Sequence, residues 1–237
     1  MKPPQQLSPV IEPEGDRCVM LRFGSALDTD VSSACLAAAA KIEQARLDGI
    51  LDVVPSFTTV AVHYEPGRFS PSPYRTLAAL LKKMVKSVSP LAPISSRTIK
   101  VPVCYDSLYA FDLAYVADTC GLTPEQVVDL HTSDQVRVFA LGFAPGMPYI
   151  GAHDEKLSIP RRATPRTAVP SGSVAIANRQ SVIYPNTSPG GWHVIGATPV
   201  TLFDPTKPPY TFLLPGDIVR FTAISRAEFE TLKHAAP

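Results

Sequence analysis

Between residues 16 and 90 the spacing of apolar positions switches between two and about 3.6 residues. Cys18 to Phe23 (CVMLRF) reads as a strand. Asp28 to Gly49 reads as a helix, with Asp28, Thr29 and Asp30 available as N-caps and Gly49 as the stop. Its apolar stripe is Val31, Cys35, Ala38, Ile42 and Ala45. Ile50 to Pro55 is a short strand, and Phe57 to Tyr64 is a second, with Val60, Val62 and Tyr64 on one face. Pro71 to Val88 returns to helical spacing, with Leu77, Leu80, Leu81, Met84, Val85 and Val88 inward. Strand, helix, strand, strand, helix predicts a small α+β sandwich with helices on one sheet face. A fourth strand is expected from the N-terminal tail or from around Lys100.

The stretch Ser87 to Arg97 (SVSPLAPISSR) has no periodicity and reads as a linker. The expected division is a flexible tail over 1–15, an α+β domain over 16–90, a linker over 91–97 and a second domain over 98–237. In the second domain Thr98 to Tyr105 alternates as a strand, and residues 109 to 120 form a helix closed by Gly121. Thr123-Pro124-Glu125-Gln126 starts another helix with a capping box, ending near His131. Val136 to Leu141 is a strand. From Gly142 to Gly216 lie 12 of the 25 prolines and 8 of the 13 glycines. Between them are short apolar runs: 173–177, 181–184, 193–195, 200–203 and 218–221. That texture predicts a compact β-barrel or sandwich.

Composition excludes more than it selects. Of 237 residues, 45% are hydrophobic and 18% charged, so a real core can be buried; the net charge of +1 argues for neither nucleic acid nor an anionic membrane surface. No apolar run is long enough to span a bilayer. MKPPQQLSPVIEPEG lacks a signal-peptide core, which makes the expected location cytoplasmic. Cys18, Cys35, Cys104 and Cys120 form no metal-binding spacing and are expected as reduced thiols, so no metal site is read.

Three stretches carry candidate chemistry. From Lys156 to Phe203, 48 residues hold no Asp or Glu, yet they include Arg161, Arg162, Arg166 and Arg179. Arginine grips carboxylate and phosphate bidentately, so an anion site and a set of solvated loop arginines are both open readings. Pro160 and Pro165 stiffen the backbone around Arg161 and Arg162. In YPNTSPGGW (184–192), Pro189-Gly190 suits a turn with positive φ, and Gly190-Gly191 allows close backbone approach and open amides. Trp192 either lines that site or fills the core. GFAPGMPYIG (142–151) fits neither a helix nor a central strand. It reads as a stiff apolar loop, with Pro145-Gly146 as a type II turn. Phe143, Pro145, Gly146, Met147, Pro148 and Tyr149 would make a pocket wall or an interface, with Phe143, Met147 and Tyr149 as exposed anchors. His131 either acts as a base or caps its helix, and His153 and Asp154 suit a pocket rim. No P-loop and no G-x-S-x-G elbow is present.

GFAPGMPYIG, PRRATPR, VPSGSVAIA, IYPNTSPGGWHVIG, TPVTLFDP and LLPGDIVRF follow one another in an order and spacing that resembles a known family. It is the family of the prokaryotic 5-oxoprolinase B subunit, allophanate hydrolase subunit 1 and the sporulation kinase A inhibitor, similar also to part of the urea carboxylase carboxyltransferase region. The resemblance implies an α+β fold, a ferredoxin-like sandwich domain followed by a cyclophilin-like β-barrel. It implies ATP, with Mg2+, as co-substrate, a homologous C subunit and a ring-opening A subunit as partners, and 5-oxoproline as substrate. By motif position it places Arg161, Arg162 and Arg166 on anionic oxygens, with Gln180, Tyr184, Gly190 and Gly191 around them and His131 as the catalytic candidate. The alternative it carries is a protein that binds and inhibits a histidine kinase. The chain departs from the family pattern at Met147, at Gly151-Ala152-His153-Asp154 and at Asn178-Arg179-Gln180-Ser181; Asn178 and Arg179 are expected to narrow a pocket.

Overall fold

The structure, a computed structural model, describes residues 7–86, 97–133 and 135–235. It divides into two compact units, one up to residue 96 and one from Arg97 onward. The linker expected at Ser87 to Arg97 lies outside the described residues except for Arg97. That arginine belongs to the second unit, where Nε donates to the buried Asp217 carboxylate at 3.0 Å.

The first unit runs β1 (Val10–Pro13), β2 (Cys18–Arg22), α1 (Thr29–Gln44), β3 (Ile50–Pro55), β4 (Thr59–Tyr64) and α2 (Pro73–Val85). Its sheet has the order β1-β2-β4-β3, all antiparallel. The fourth strand therefore comes from the tail: Val10–Pro13 pairs with β2, where the sequence suggested flexible chain. Asp28 caps α1, accepting from the amides of Asp30 and Val31 at 2.8 and 3.0 Å. The helix ends at Gln44, short of Gly49, because Arg46 takes a left-handed φ of 44°. Val60, Val62 and Tyr64 face the core, as the alternation predicts, and meet Cys35, Ala38, Ile42, Leu77 and Leu81. Each Val, Leu or Ile side chain among them contributes about 1.5–3 kcal/mol when fully buried.

The second unit contains β5 (Thr98–Cys104), α3 (Leu113–Cys120), α4 (Pro124–Ser133), β6 (Val136–Leu141), β7 (Pro148–Gly151), β8 (Arg166–Val169), β9 (Ser173–Ala177), β10 (Gln180–Ile183), β11 (Ser188–Gly190), β12 (His193–Ala197), β13 (Ile218–Ile224) and α5 (Arg226–Ala235). Seven strands close a barrel in the order β10-β7-β6-β13-β5-β12-β9, with only β13 and β5 parallel. β8 and β11 form a separate ribbon. Val101, Val138, Ile150, Val174, Ile183, Val219 and Phe221 fill the core of this barrel. The molecule is thus α+β, with a closed seven-stranded barrel and five α-helices among the described residues.

The predicted capping box of α4 is present: Thr123 N–H donates to Gln126 Oε1 at 2.9 Å, and Gln126 N–H to Thr123 Oγ1 at 3.3 Å. Other expectations need correction. Residues 148–151, read as loop, form a barrel strand between β6 and β10, since Pro148 opens it and leaves its amides free to pair. Residues 200–203 make a single bridge from Phe203 to Thr211 and no strand. Ser188 to Gly190 pairs with β8, and Gly190 is outside the left-handed region, so no positive-φ turn forms there. Cys18, Cys35 and Cys104 are buried and Cys120 is half-buried, all unpaired.

Candidate active site around Asp112 and the barrel histidines

Asp112, just ahead of α3, receives the arginines. Arg162 Nη1 donates to one carboxylate oxygen at 2.8 Å, and Arg166 donates to both oxygens at 2.7 and 2.8 Å. The amide of Val194 adds a fourth bond at 2.8 Å. Burial opposes the charge, but the Arg166 and Val194 bonds and both guanidinium charges overcome it. The Asp112 carboxyl is therefore held below the usual carboxylate range. The acid-free stretch thus has its counter-charge, supplied from some fifty residues away. Arg162 and Arg166 are not open to a ligand as free cations, which corrects the picture of three equivalent anion hooks. Arg161 differs: it is exposed, has no ion-pair partner among the described residues, and lies 5.1 Å over the Trp192 ring.

Around this cluster sit His193, Tyr184 and two aromatics. His193 Nε2–H donates to the Pro160 carbonyl at 3.0 Å, and its buried Nδ1 is an acceptor that meets no donor among the described residues. The buried Nε of Arg162 likewise has no hydrogen-bond partner among the described residues. Tyr115, 58% exposed, stacks on His193 at 5.4 Å, and Phe111 lies under Arg166 at 5.9 Å. Tyr184 is buried, and its hydroxyl lies in the field of Arg161 and Arg166. A Cβ on Gly190 would stand 2.0 Å from that hydroxyl, so the glycine is required by the tyrosine packed across it. Gly190 is in register with Arg166, and the Gly191 carbonyl accepts from the Arg162 amide at 2.8 Å. Trp192 fills the core beside Met147, Val169, Tyr184 and Val194.

GFAPGMPYIG separates into two parts. The Met147 amide donates to the Ala144 carbonyl at 3.0 Å, closing the expected turn, and Gly146 has φ 77°. A Cβ there would meet Phe203 Cβ at 2.8 Å and the Leu202 carbonyl at 2.9 Å, so the turn is clamped against residues 202–203. Met147 and Pro148 are buried, so Met147 is core and not an exposed anchor. Phe143 stands out at 68% exposure with a φ of 70°, a conformation that costs a non-glycine residue energy. Tyr149 is half-buried, edge-on to Trp192.

His131 is fully buried. Its Nδ1 meets Tyr105 Oη at 2.6 Å and its Nε2 meets Ser181 Oγ at 2.9 Å, so it caps no helix carbonyl. His153 is buried as well, not on a rim, and its Nε2 reaches the same Ser181 oxygen at 2.7 Å. The two imidazoles stack at 4.8 Å, with Phe221 4.2 Å from His131. Burial, with the neighbouring His153, holds His131 well below its ordinary value; burial, with Arg179, lowers His153 to about 4. Both rings are neutral at pH 7.

The departures at 151–154 and 178–181 meet here. Asn178 and Arg179, with φ of 49° and 63°, are the two central residues of the β9–β10 hairpin. Arg179 Nε donates to the His153 carbonyl at 2.9 Å, and its own carbonyl accepts from the His153 amide at 2.8 Å. Arg179 thereby ties down the segment that carries His153. Gln180 belongs with this group, its side chain beside Gly151, and is not joined to the arginines. Asp112, Tyr105 and Ser181 were missed in the sequence. The signal for Asp112 was the charge imbalance itself, which demanded an acid from elsewhere.

The model of a family described as carboxyltransferase domain, subdomain C and D, matches residues 9–213. The 5-oxoprolinase B subunit of Bacillus subtilis (strain 168) is 37% identical over 231 residues, 94% of this chain and 96% of that protein. The 5-oxoprolinase B subunit of Escherichia coli O157:H7 is 51% identical over 126 residues, 53% of this chain and 58% of that protein. The crystal structure of TTHA0988 matches with a TM-score of 0.78 and 36% identity, covering 88% of this chain and 40% of that chain. The chain therefore belongs to the carboxyltransferase-domain subdomain C and D family that includes the 5-oxoprolinase B subunits.

Proposed function

We propose that the protein is the B subunit of an ATP-dependent 5-oxoprolinase, acting in the cytoplasm with a homologous C subunit and a ring-opening A subunit. The observation that carries this reading is the match to the Bacillus subtilis protein over nearly the full length of both chains. In this reading the first unit is a ferredoxin-like sandwich and the second a cyclophilin-like barrel. The chemistry required is activation of an unstrained lactam, whose nitrogen lone pair makes the carbonyl a poor electrophile. Transfer of a phosphoryl group from ATP to the lactam oxygen makes the carbon attackable by water. The residues here suit the anionic side of that task. Arg161 has no ion-pair partner among the described residues and is steadied by Trp192, which leaves it available to an anionic group. Among the described residues no three His, Cys, Asp or Glu side chains converge on one point, and magnesium would enter on the phosphates.

The exposed Phe143 favours a second reading in one respect, since an aromatic held out in a costly backbone conformation suits a protein partner. The homologous C subunit is the partner proposed, and a histidine kinase is the competitor. Tagged chain mixed with the purified C subunit and, separately, with a histidine kinase discriminates between them. Stable co-elution with the C subunit supports the enzyme; capture of the kinase with no affinity for the C subunit would replace it by the inhibitor.

A further inference from the structure

α5 has one buried side chain, Phe229, which packs with Cys104 and Ala197 of the barrel. Beside that contact a cavity of about 550 Å³ opens, with Phe229 and Lys233 of α5 on one side and the segments 170–173 and 197–201 on the other. Leu108, Tyr109 and Phe111 make a third wall. The volume is that of a small-molecule site, roughly 300–1,000 Å³. The walls are fixed to one another. The Gly172 amide donates to the Tyr184 carbonyl at 2.7 Å, and the Gly172 carbonyl accepts from the Thr198 amide at 2.9 Å. Gly172 has φ 82°, and a Cβ there would stand 2.6 Å from the Thr198 carbonyl oxygen. The Tyr109 ring lies 4.5 Å from that of Phe229, and its hydroxyl donates to Glu230 on α5.

Charge selects what such a cavity can hold. Among the described residues Lys233 is the only charged side chain on its walls, and no Asp or Glu lines it. Lys233 Nζ lies 6.0 Å from the centre of the Phe229 ring and forms no ion pair among the described residues. Glu230, one turn back on α5, weakens the field of Lys233 but is engaged by the Tyr109 hydroxyl and is not part of the lining. Thr198 is buried, and its Oγ1 accepts from the Val200 amide at 3.3 Å, a bond that does not use the hydroxyl hydrogen. One cation and one hydroxyl donor on largely apolar, aromatic walls match an acid with an apolar body. A cationic ligand would be repelled by Lys233, and a neutral one would gain nothing from it.

We propose that the cavity between α5 and the barrel is a binding site for a small carboxylic acid with an apolar body, its carboxylate on Lys233 and its body against Tyr109, Val200 and Phe229. Binding joins α5 to the segments 170–173 and 197–201, so the helix gains a second attachment besides Phe229. The site is separate from Asp112 and its arginines, none of which lines it. It does not depend on the oxoprolinase reading.

The test is nuclear magnetic resonance of the 15N-labelled full chain titrated with three probes of one shape: phenylacetate, the neutral phenylacetamide and the cationic phenethylamine. Phenylacetate should shift the amides of 171–173, 198–201 and 229–233 saturably, with a dissociation constant of about 1–10 mM, as a fragment of its size allows. Phenylacetamide should bind at least about fivefold more weakly, and phenethylamine more weakly still. Lys233→Met keeps an unbranched apolar stem and removes the charge. It should weaken phenylacetate by about fivefold or more and leave phenylacetamide unchanged. Hydrogen exchange of the α5 amides should slow by about threefold or more when phenylacetate is bound, because a ligand seated on the helix opposes its local opening. No saturable shift at about 50 mM phenylacetate, shifts confined to other surfaces, equal affinity for the three probes, or full affinity in Lys233→Met would each overturn the site.

Discussion

Asp112 gathers four hydrogen bonds from three different segments, and its removal leaves two guanidinium groups and one amide unsatisfied at once. Asp112→Ala is expected to cost about 3–5 kcal/mol in urea denaturation. Arg166→Ala should cost a large part of that. Arg161→Ala, which breaks no ion pair, should stay within about 0.5 kcal/mol of the parent. Equal losses at Arg161 and Arg166 would show that Arg161 is structural too. Gly190→Ala drives a methyl group into Tyr184 and should cost about 1–3 kcal/mol. The histidines make stability fall on acidification. The unfolded chain binds a proton at His153 near pH 6.5, while the folded chain resists until about 4. Within that window the unfolded state holds more protons, so each depressed histidine removes up to about 1.4 kcal/mol per pH unit as pH drops. Denaturation midpoints at pH 7, 6 and 5 measure this slope, which should be shallower in His153→Asn. An unchanged slope would place the acid sensitivity elsewhere.

At the scale of elements, period and cap were legible where each element makes its own case. Thr123 and Gln126 announce α4 because capping is local, and Val60, Val62 and Tyr64 announce β4 because one face is buried. β7 was not legible: Pro148 and Gly151 argue against a strand, and only the flanking β6 and β10 make one. β11 was hidden in the same way, since Ser188-Pro189-Gly190 resembles a turn until β8 pairs with it. The arginine segment was found by its charge, but its partner Asp112 lies outside any local window. Tyr105, Ser181 and His153 likewise come together only when the barrel closes. GFAPGMPYIG resolves into a clamped turn, a core methionine and one exposed aromatic. Phe143→Gly tests what that aromatic is for. Glycine accepts the φ of 70° without strain, so stability should hold or rise by about 0.5–1 kcal/mol. Binding of the homologous partner should weaken; an unchanged dissociation constant would remove Phe143 from the interface.

At the scale of the whole molecule, the first unit presents a four-stranded sheet with two helices and the second a closed barrel with the chemistry-bearing residues. Among the described residues no helix is long and apolar enough to cross a membrane. In the proposed reaction the barrel unit contributes cationic and hydrogen-bonding groups, and the partner proteins complete the site. The central claim is that this chain is a working part of an ATP-dependent 5-oxoprolinase. Phosphate release by this chain assembled with the C and A subunits, with and without 5-oxoproline, tests it most directly. Release should be stimulated by 5-oxoproline, be matched by glutamate, and be lost when Arg161 is replaced by Ala in an otherwise intact complex. An assembled complex whose ATP turnover ignores 5-oxoproline, and every other lactam or amide offered, would contradict the account.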